Sequence, residues 1–256
     1  MFTVDLNCDM GEDFGVYNIG ADESKLMDHI TSTNIACGFH AGDPDCIKKT
    51  VQLAIDKGIS IGAHPGLPDL VGFGRRNMNI TAQEAYNMVL YQIGALSAFV
   101  QAAGSKLNHV KPHGALYNMA AKDVTLARSI AQAVFDFDPT LILFGAFNSE
   151  LIRAGEKINL KTVNEVFADR TYQADGSLTP RTQPNCFVTD EVLAFTQVLE
   201  MITSSRIKTT DGEYIAIEAD TVCVHGDGPH ALTFVKALRQ KLTEHHIVIQ
   251  PFGALP

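Results

Sequence analysis

Ionisable side chains recur in the turns that follow the predicted β-strands of this sequence. The residues that share this position are Asp9, Glu12, His40, His64, Lys111, His113, Glu165, Asp169, Arg170, His225 and Asp227. In a barrel of parallel strands, the turns after the strands meet at one face, where catalytic residues collect. Four of the nine histidines fall at such strand ends, which favours a common site over four separate structural histidines. The pattern therefore predicts a single polar cleft.

The residue types in these turns suit general acid–base hydrolysis of a small polar substrate. They comprise carboxylates, imidazoles that are neutral near pH 7, one lysine and several arginines. Taken alone, Asp9 could simply cap a turn through its side chain, and a single strand-end histidine is more often a structural hydrogen-bonding residue. Residue types and spacing leave both metal-free and metal-dependent hydrolysis open.

Glu165 is the carboxylate that is hardest to explain structurally. It alternates with apolar neighbours within residues 163–167 and would point into the barrel mouth or to solvent. A carboxylate held in that mouth needs a cationic partner. Arg170 and Arg181 are the candidates, although a solvated loop position is the alternative for both.

A glycine-rich turn carries two neighbouring arginines, Arg75 and Arg76, which could bind an anionic group or lie in solvent. The turn has the sequence Gly72-Phe73-Gly74-Arg75-Arg76-Asn77 and fails the G-x-G-x-x-G dinucleotide pattern at its last position. The sequence also lacks a Walker A loop, an H-E-x-x-H zinc motif and a G-x-S-x-G nucleophile elbow. Any nucleotide would therefore bind through a non-standard site.

Composition excludes several classes of protein. The 256 residues include 20 basic and 29 acidic side chains, a net charge of −9, and 46% are hydrophobic, which excludes a disordered chain. Phosphate binding needs clustered Lys and Arg, so we expect no nucleic-acid partner. We expect no membrane partner, because no secretory signal and no apolar run of about 20 residues is found. Five cysteines without a C-x-x-C pair indicate reduced thiols and a cytoplasmic protein.

Short β-rich segments alternate with amphipathic segments, which is typical of βα units around a parallel sheet. Seven strands are predicted, at residues 3–8, 33–37, 60–63, 109–111, 141–144, 162–167 and 221–224. Seven helices are predicted, at residues 22–30, 45–57, 82–103, 124–135, 149–155, 190–203 and 230–242. We interpret residues 1–256 as one domain with excursions at about 166–188 and 204–219. The second excursion has the pattern of a β-hairpin around Asp211-Gly212, and residues 247–252 are a possible extra strand.

Seven segments of the chain resemble, in the same order, the motifs of the LamB/YcsF family. These segments are DLNCDMGE at residues 5–12, NIACGFHAGDP at 34–44, GAHPG at 62–66, GFGRR at 72–76, KPHGALY at 111–117, EVFADR at 165–170 and CVHGD at 223–227. They cover nearly the whole chain, and seven ordered motifs are far more specific than any single one. Met10, Asp13 and the pair Asn185-Cys186 depart from the family pattern, away from every proposed catalytic position.

The resemblance implies an irregular, seven-stranded parallel β/α barrel of the glycoside hydrolase/deacetylase type, which agrees with the seven predicted strands. It also implies ATP-dependent opening of 5-oxo-L-proline to L-glutamate, with ATP hydrolysed to ADP and phosphate, in a complex with two other 5-oxoprolinase subunits. ATP would be a co-substrate bound at a non-standard site, on this chain or on a partner.

Under this hypothesis the residues of the cleft take the following roles. Asp9 or Glu165 is the general base, His64 and His113 shuttle protons, and Lys111 with Arg170 stabilises negative charge on oxygen. Arg75 and Arg76 hold a carboxylate or phosphate, and Glu12, His40, Asp169, Arg181, His225 and Asp227 complete the predicted substrate-binding set.

Two other functions are compatible with the same residues. The first is a metal-dependent amidase or deacetylase that acts alone, with Asp9 and either His40 or His64 on a divalent ion. The second is a non-catalytic subunit that binds 5-oxoproline and presents it to partner enzymes. The number of ionisable groups favours catalysis over simple binding.

Overall fold

The computed structural model describes residues 1–19, 22–224 and 231–253, and within them ten strands and eight helices. The strands are β1 (Thr3–Met10), β2 (Ser32–Ala36), β3 (Ser60–His64), β4 (His109–Val110), β5 (Ile142–Ala146), β6 (Lys161–Phe167), β7 (Arg206–Lys208), β8 (Tyr214–Ala216), β9 (Thr221–Cys223) and β10 (Val248–Ile249). The helices are α1 (Glu23–Met27), α2 (Pro44–Lys57), α3 (Ala82–Ala102), α4 (Gly114–Ala120), α5 (Val124–Phe137), α6 (Glu150–Lys157), α7 (Glu191–Ser204) and α8 (Ala231–Glu244).

Seven parallel strands close into a barrel in the order β1-β2-β3-β4-β5-β6-β9. The ring closes because β9 pairs with β6 on one side and with β1 on the other, where Asp5 lies opposite Thr221. The predicted irregular seven-stranded barrel is therefore confirmed. The extra strand β10 pairs with the first residues of β1 outside the ring, and β7 with β8 forms the predicted antiparallel hairpin.

The helix ends follow their local sequence signals. The Asp43 side chain accepts hydrogen bonds from the backbone amides of Asp45 and Cys46 at the start of α2, and Gly58 ends that helix with a left-handed φ of 68°. Thr81 and Glu84 form a capping box at the start of α3. Every predicted helix is observed, and α4 is an additional helix of seven residues. None of the helices in the described ranges is long and apolar enough to cross a membrane.

Strand β1 shows how the barrel separates its two environments. Successive side chains of a strand point to opposite faces. Leu6, Cys8 and Met10 belong to the large hydrophobic core that packs under the helices. The alternate residues of this strand, which are all polar, make hydrogen bonds across the barrel interior: Asp5, Asn7 and Asp9.

The interior is not polar throughout. On the β5 and β6 side, Ile142, Phe144 and Val163 form a small apolar cluster, and Phe252 from the C-terminal segment packs against it. The Lys161 ammonium lies 4.9 Å from the centroid of the Phe252 ring. Apolar packing therefore fills the part of the barrel next to β5 and β6.

Candidate active site

Lys111, in the turn after β4, lies at the centre of a buried ionic group. Its Nζ is 2.7 Å from Glu165 Oε1, 2.9 Å from Asp9 Oδ1 and 3.2 Å from Asn7 Oδ1. We call these four residues the lysine cluster. Burial lowers the pKa of Lys111, but the charges of Asp9 and Glu165 outweigh it, so the pKa lies well above its usual value. Lys111 is therefore a fixed positive charge and not a base.

Glu165 is held in the barrel mouth by its contacts within the lysine cluster. Glu165 is only 2% exposed, and its cationic partner is Lys111, whereas the sequence suggested Arg170 or Arg181. The difference arises because β4 and β6 flank β5 in the closed sheet, so that residues far apart in the sequence meet inside the barrel. Asn7 adds a hydrogen bond from its Nδ2 to Glu165 Oε1 at 3.0 Å.

A second layer of buried amides and an imidazole orients this cluster from below. Asn34 Nδ2 donates to Asp9 Oδ1 and to Asn7 Oδ1, both at 2.8 Å. Asn34 Oδ1 in turn lies 2.8 Å from Nε2 of His109. His109 can lie across the bore because residue 62 is glycine, where a Cβ would stand 2.1 Å from His109 Nε2. These positioning residues were not predicted, although the alternation of polar residues along β1 was a readable signal for Asn7.

Three histidines form a second group next to Asp9. His64 Nδ1 is 2.7 Å from the Lys111 carbonyl oxygen, and His113 Nε2 is 2.8 Å from the Phe73 carbonyl oxygen. Carbonyls only accept hydrogen bonds, so both of these ring nitrogens carry protons. The remaining nitrogens, His64 Nε2 and His113 Nδ1, face each other at 2.9 Å. In neutral rings these are two lone pairs, and a proton or a metal ion is needed between them.

His40 stacks on His113 with ring centroids 3.7 Å apart and an angle of 1° between the rings. Burial and then the neighbouring imidazoles lower the pKa of His40 and of His113 well below the usual value. Both nitrogens of His40 lack a hydrogen-bond partner among the described residues, and Nε2 is 3.8 Å from Glu12 Oε1. Gly66 makes room for this ring, because a Cβ there would lie 2.4 Å from His40 Nδ1.

Glu12, His40, His64 and His113, which we call the histidine cluster, fit the requirements of a divalent metal ion. Their ligand atoms all lie within 4.8 Å of one another. Metal-binding histidines typically donate their second N–H to a carbonyl or carboxylate, as His64 and His113 do here. Neutral imidazoles and a carboxylate are the ligands that zinc and similar ions prefer. The two clusters meet where His64 Nε2 lies 3.2 Å from Asp9 Oδ2.

The structure therefore brings together seven of the predicted site residues: Asp9, Glu12, His40, His64, Lys111, His113 and Glu165. Arg170 is buried in the excursion after β6, where Nε donates to the Cys186 carbonyl at 3.1 Å and Nη2 to the Thr179 carbonyl at 2.5 Å. These contacts hold the loop together and favour a structural role. The catalytic role of Arg170 stays a prediction.

Arg75 and Arg76 lie in the glycine-rich turn after β3. Arg76 is ion-paired with Asp69, with Nε 3.0 Å from both carboxylate oxygens, and this hydrogen bonding lowers the pKa of Asp69 to about 2. The guanidinium of Arg75 lies 4.8 Å from the centroid of the Phe73 ring.

Farther along the chain, Arg181 lies 5.0 Å from the centroid of the Phe187 ring, and Asp169 accepts a backbone hydrogen bond from Val188. His225 and Asp227 lie outside the described residues. Substrate binding by these loop residues stays a prediction.

Comparisons with known proteins identify the family of this chain. Residues 4–255 match the family model of the LamB/YcsF family. The chain is 58% identical over 242 residues to a 5-oxoprolinase subunit of Bacillus subtilis (strain 168), covering 94% of each protein. It is 60% identical over 250 residues to the corresponding 5-oxoprolinase subunit of Geobacillus kaustophilus (strain HTA426), covering 98% of this chain and 97% of the relative.

A solved structure supports the same relationship. The lactam utilization protein from Thermus thermophilus is 43% identical, with a TM-score of 0.92, and the alignment covers 98% of this chain and 100% of that one. The predicted resemblance is confirmed along almost the full sequence. This chain belongs to the LamB/YcsF family.

Proposed function

We propose that the chain is one subunit of an ATP-dependent 5-oxoprolinase, which opens 5-oxo-L-proline to L-glutamate in a cytoplasmic complex with two other subunits. The observation that carries the proposal is the buried Lys111 ammonium between Asp9 and Glu165 at the barrel mouth. The names of the relatives and of the Thermus lactam utilization protein support the same substrate class. All five cysteines, each within the described ranges, carry free thiols, which is compatible with the cytoplasm.

ATP is required because the amide of a five-membered lactam resists water and the open product closes again readily. Transfer of the terminal phosphoryl group of ATP to the lactam oxygen would give ADP and an activated ring carbon. Attack of one water at this carbon, with the ring C–N bond breaking and the nitrogen taking up a proton, would give an acyl phosphate of glutamate. A second water would hydrolyse this acyl phosphate to glutamate and phosphate. ATP would bind at a non-standard site, on this chain or on a partner.

The lysine cluster supplies two functions that this reaction needs. The fixed charge of Lys111 would stabilise negative charge on the lactam oxygen and on the phosphoryl group that this oxygen accepts. Of the two predicted bases, Glu165 has its Oε2 without a hydrogen-bond partner among the described residues, so this oxygen is available to take the ring N–H proton as the lactam oxygen is phosphorylated. Asp9 links Lys111 to His64 and would pass protons to the His64–His113 pair.

The proposal is tested by measuring glutamate and ADP release from 5-oxoproline for this chain alone and for its complex with the two other subunits. We expect both products only in the complete mixture and only with ATP. A complete mixture that leaves 5-oxoproline unchanged would refute the proposal. Release of glutamate by this chain alone, without ATP, would favour the alternative described next.

A second candidate function is a metal-dependent amidase that acts alone. The observation that favours it is the pair of facing lone pairs on His64 and His113, together with the unpartnered nitrogens of His40 among the described residues. Glu12, His40, His64 and His113 would hold the ion, which would supply Lewis-acid polarisation of an amide carbonyl. A single proton between the facing nitrogens would satisfy them as well.

Metal analysis of the purified chain distinguishes the two arrangements without measuring activity. A bound ion predicts about one equivalent of zinc or a similar metal, and its loss after replacement of His40 by Ala. Replacement of His29 by Ala, at a partly exposed position away from the cluster, is the matched control and should retain the ion. A metal content far below one equivalent, unchanged by incubation with excess Zn²⁺, supports the shared proton and the ATP-dependent function.

A further inference from the structure

Two buried oxygen atoms next to the lysine cluster approach each other, but neither forms a hydrogen bond of normal geometry with any of the described residues. They are the hydroxyl oxygen of Tyr117 and Oε2 of Glu165. Tyr117 is 5% exposed and Glu165 is 2% exposed, so water does not readily replace the missing partners. An unsatisfied buried polar group is costly, and such groups in native proteins call for an explanation. A ligand that satisfies both oxygens is the explanation that follows from their position.

Tyr117 is fixed at the edge of the catalytic group by its contacts. It lies in α4, directly after the turn that carries Lys111 and His113, and its ring packs edge-on against Phe167 with centroids 6.1 Å apart. The Lys111 ammonium lies 5.7 Å from the centroid of the same Phe167 ring. Burial and then the charge and close approach of Glu165 raise the pKa of Tyr117 well above its usual value, so its hydroxyl keeps its proton and can donate it in a hydrogen bond.

The two oxygens have opposite hydrogen-bonding preferences. The Tyr117 hydroxyl can donate, whereas an ionised Glu165 carboxylate only accepts. A ligand that serves both must present an acceptor beside a donor along one edge. In an open-chain secondary amide, the trans geometry directs C=O and N–H to opposite sides. Closure of a five-membered ring holds them on the same side, so a lactam offers the required edge and a linear amide does not.

We infer that Tyr117 and Glu165 together recognise the amide edge of a lactam, with the Tyr117 hydroxyl donating to the ring C=O and the ring N–H donating to Glu165 Oε2. The inference rests on the proposed function and assigns the specificity for a cyclic amide to this pair. Phe167 and the partly buried Leu178, which pack with Tyr117 in one apolar cluster, would contact the ring methylenes. Tyr117 is thereby a substrate-binding residue beyond the predicted set.

The experiment uses the reconstituted complex and the Tyr117→Phe variant. We expect the KM for 5-oxoproline to rise about tenfold, since one hydrogen bond to the ring carbonyl is lost. Two competitive inhibitors without an N–H isolate this bond: the lactone analogue of 5-oxoproline, which keeps the C=O, and tetrahydrofuran-2-carboxylate, which lacks it. The variant should bind the lactone about tenfold more weakly and tetrahydrofuran-2-carboxylate unchanged.

Thermal unfolding without ligand separates binding from a structural role. If the hydroxyl is unsatisfied in the free protein, Tyr117→Phe has an unchanged or higher melting temperature. Tyr172→Phe is the matched control, because the buried Tyr172 hydroxyl accepts a hydrogen bond from the Phe167 amide at 2.8 Å. The control should melt several degrees lower and retain the inhibitor pattern of the wild type.

The possible failures are distinguishable. If the wild-type complex does not turn over 5-oxoproline, the proposed function is wrong and this inference fails with it. If the wild type is active but Tyr117→Phe keeps a normal KM, or weakens both inhibitors equally, the pairing with the lactam edge is wrong while the proposed function stands. A lower melting temperature for Tyr117→Phe with an unchanged KM would show that the hydroxyl donates to Glu165 itself and serves folding.

Discussion

The lysine cluster and the histidine cluster share the barrel mouth but differ in how completely their polar atoms are paired. In the lysine cluster, the ammonium of Lys111 contacts two carboxylates and the Asn7 amide oxygen. In the histidine cluster, two ring nitrogens face each other as lone pairs, and both nitrogens of His40 lack partners among the described residues. The first cluster is held together by its own charges, and the second needs a proton or a metal ion from outside.

Because of this difference, substitutions in the two clusters should affect the stability of the folded protein to different extents. Removing a member of a paired buried group leaves a partner charge unpaired in a low-dielectric interior. Removing a member of an unpaired group leaves no new unpaired charge, so the folded state should tolerate it better. The following predictions use this contrast, beginning with the largest expected effect.

Replacement of Lys111 by Met breaks the paired cluster most severely. Asp9 and Glu165 would lose the cation that both contact, and we expect the free energy of unfolding to fall by about 3–5 kcal/mol. Denaturant titration measures this change. Lys122→Met, at an exposed lysine 3.9 Å from Asp175, is the control and should change the unfolding free energy little. Equal effects at both positions would contradict the central place of Lys111.

Alanine at Glu165 and alanine at His113 test the two clusters in parallel. Each change should lower turnover of 5-oxoproline in the reconstituted complex by about 10² or more. Glu165→Ala should also reduce stability, because Glu165 belongs to the paired cluster, whereas His113→Ala should reduce it less. Near-normal turnover in both variants would refute the catalytic assignment, and a reversed order of stability would refute the contrast between the clusters.

His109 lies below the lysine cluster and makes stability depend on pH. Burial, then the charge of Lys111 and the His64 ring, lower the pKa of His109 to about 3, against an opposing effect of Asp9. The unfolded chain, with a histidine pKa near about 6.5, therefore binds more protons between these values. This contribution to stability is complete above about pH 6.5 and is lost progressively as the pH falls towards about 3. At pH 5 the expected loss is about 2 kcal/mol relative to pH 8.

Denaturant titrations at about pH 5 and about pH 8 measure the contribution of His109, and His109→Gln provides the comparison. The variant should be less stable at the higher pH but should lose less stability between the two pH values. Parallel pH profiles for the wild type and the variant would show that His109 is protonated in the folded state as readily as in the unfolded chain.

The smallest expected effect is at Arg76, on the loop that covers the histidine cluster. Its side chain is largely exposed and ion-paired with Asp69, and exposed ion pairs contribute little. We expect Arg76→Ala to change the KM for 5-oxoproline by less than about threefold. Steady-state kinetics of the complex measures this change. A much larger increase in KM would support the predicted contact of Arg76 with an anionic group of the substrate.

Local features of the chain were predictable because they depend on neighbouring residues. The cap at Asp43, the stop at Gly58 and the capping box at Thr81 and Glu84 were readable directly. Helix α4 was missed because its seven residues are too few to show an apolar period. The association of His40, His64 and His113 followed from the rule that the turns of a parallel barrel meet at one face.

The sequence alone determined that apolar strands alternate with helices and that most strands end in polar residues, because these features rest on short-range periodicity and turn chemistry. Only the tertiary structure decided which polar residues pair. Glu165 and Lys111 are 54 positions apart in the chain, and the closed ring of strands sets the 2.7 Å between them. The same closure brings the Tyr117 hydroxyl and Glu165 Oε2 near each other with neither completing a hydrogen bond among the described residues, since hydrogen-bond satisfaction depends on atomic positions across the bore.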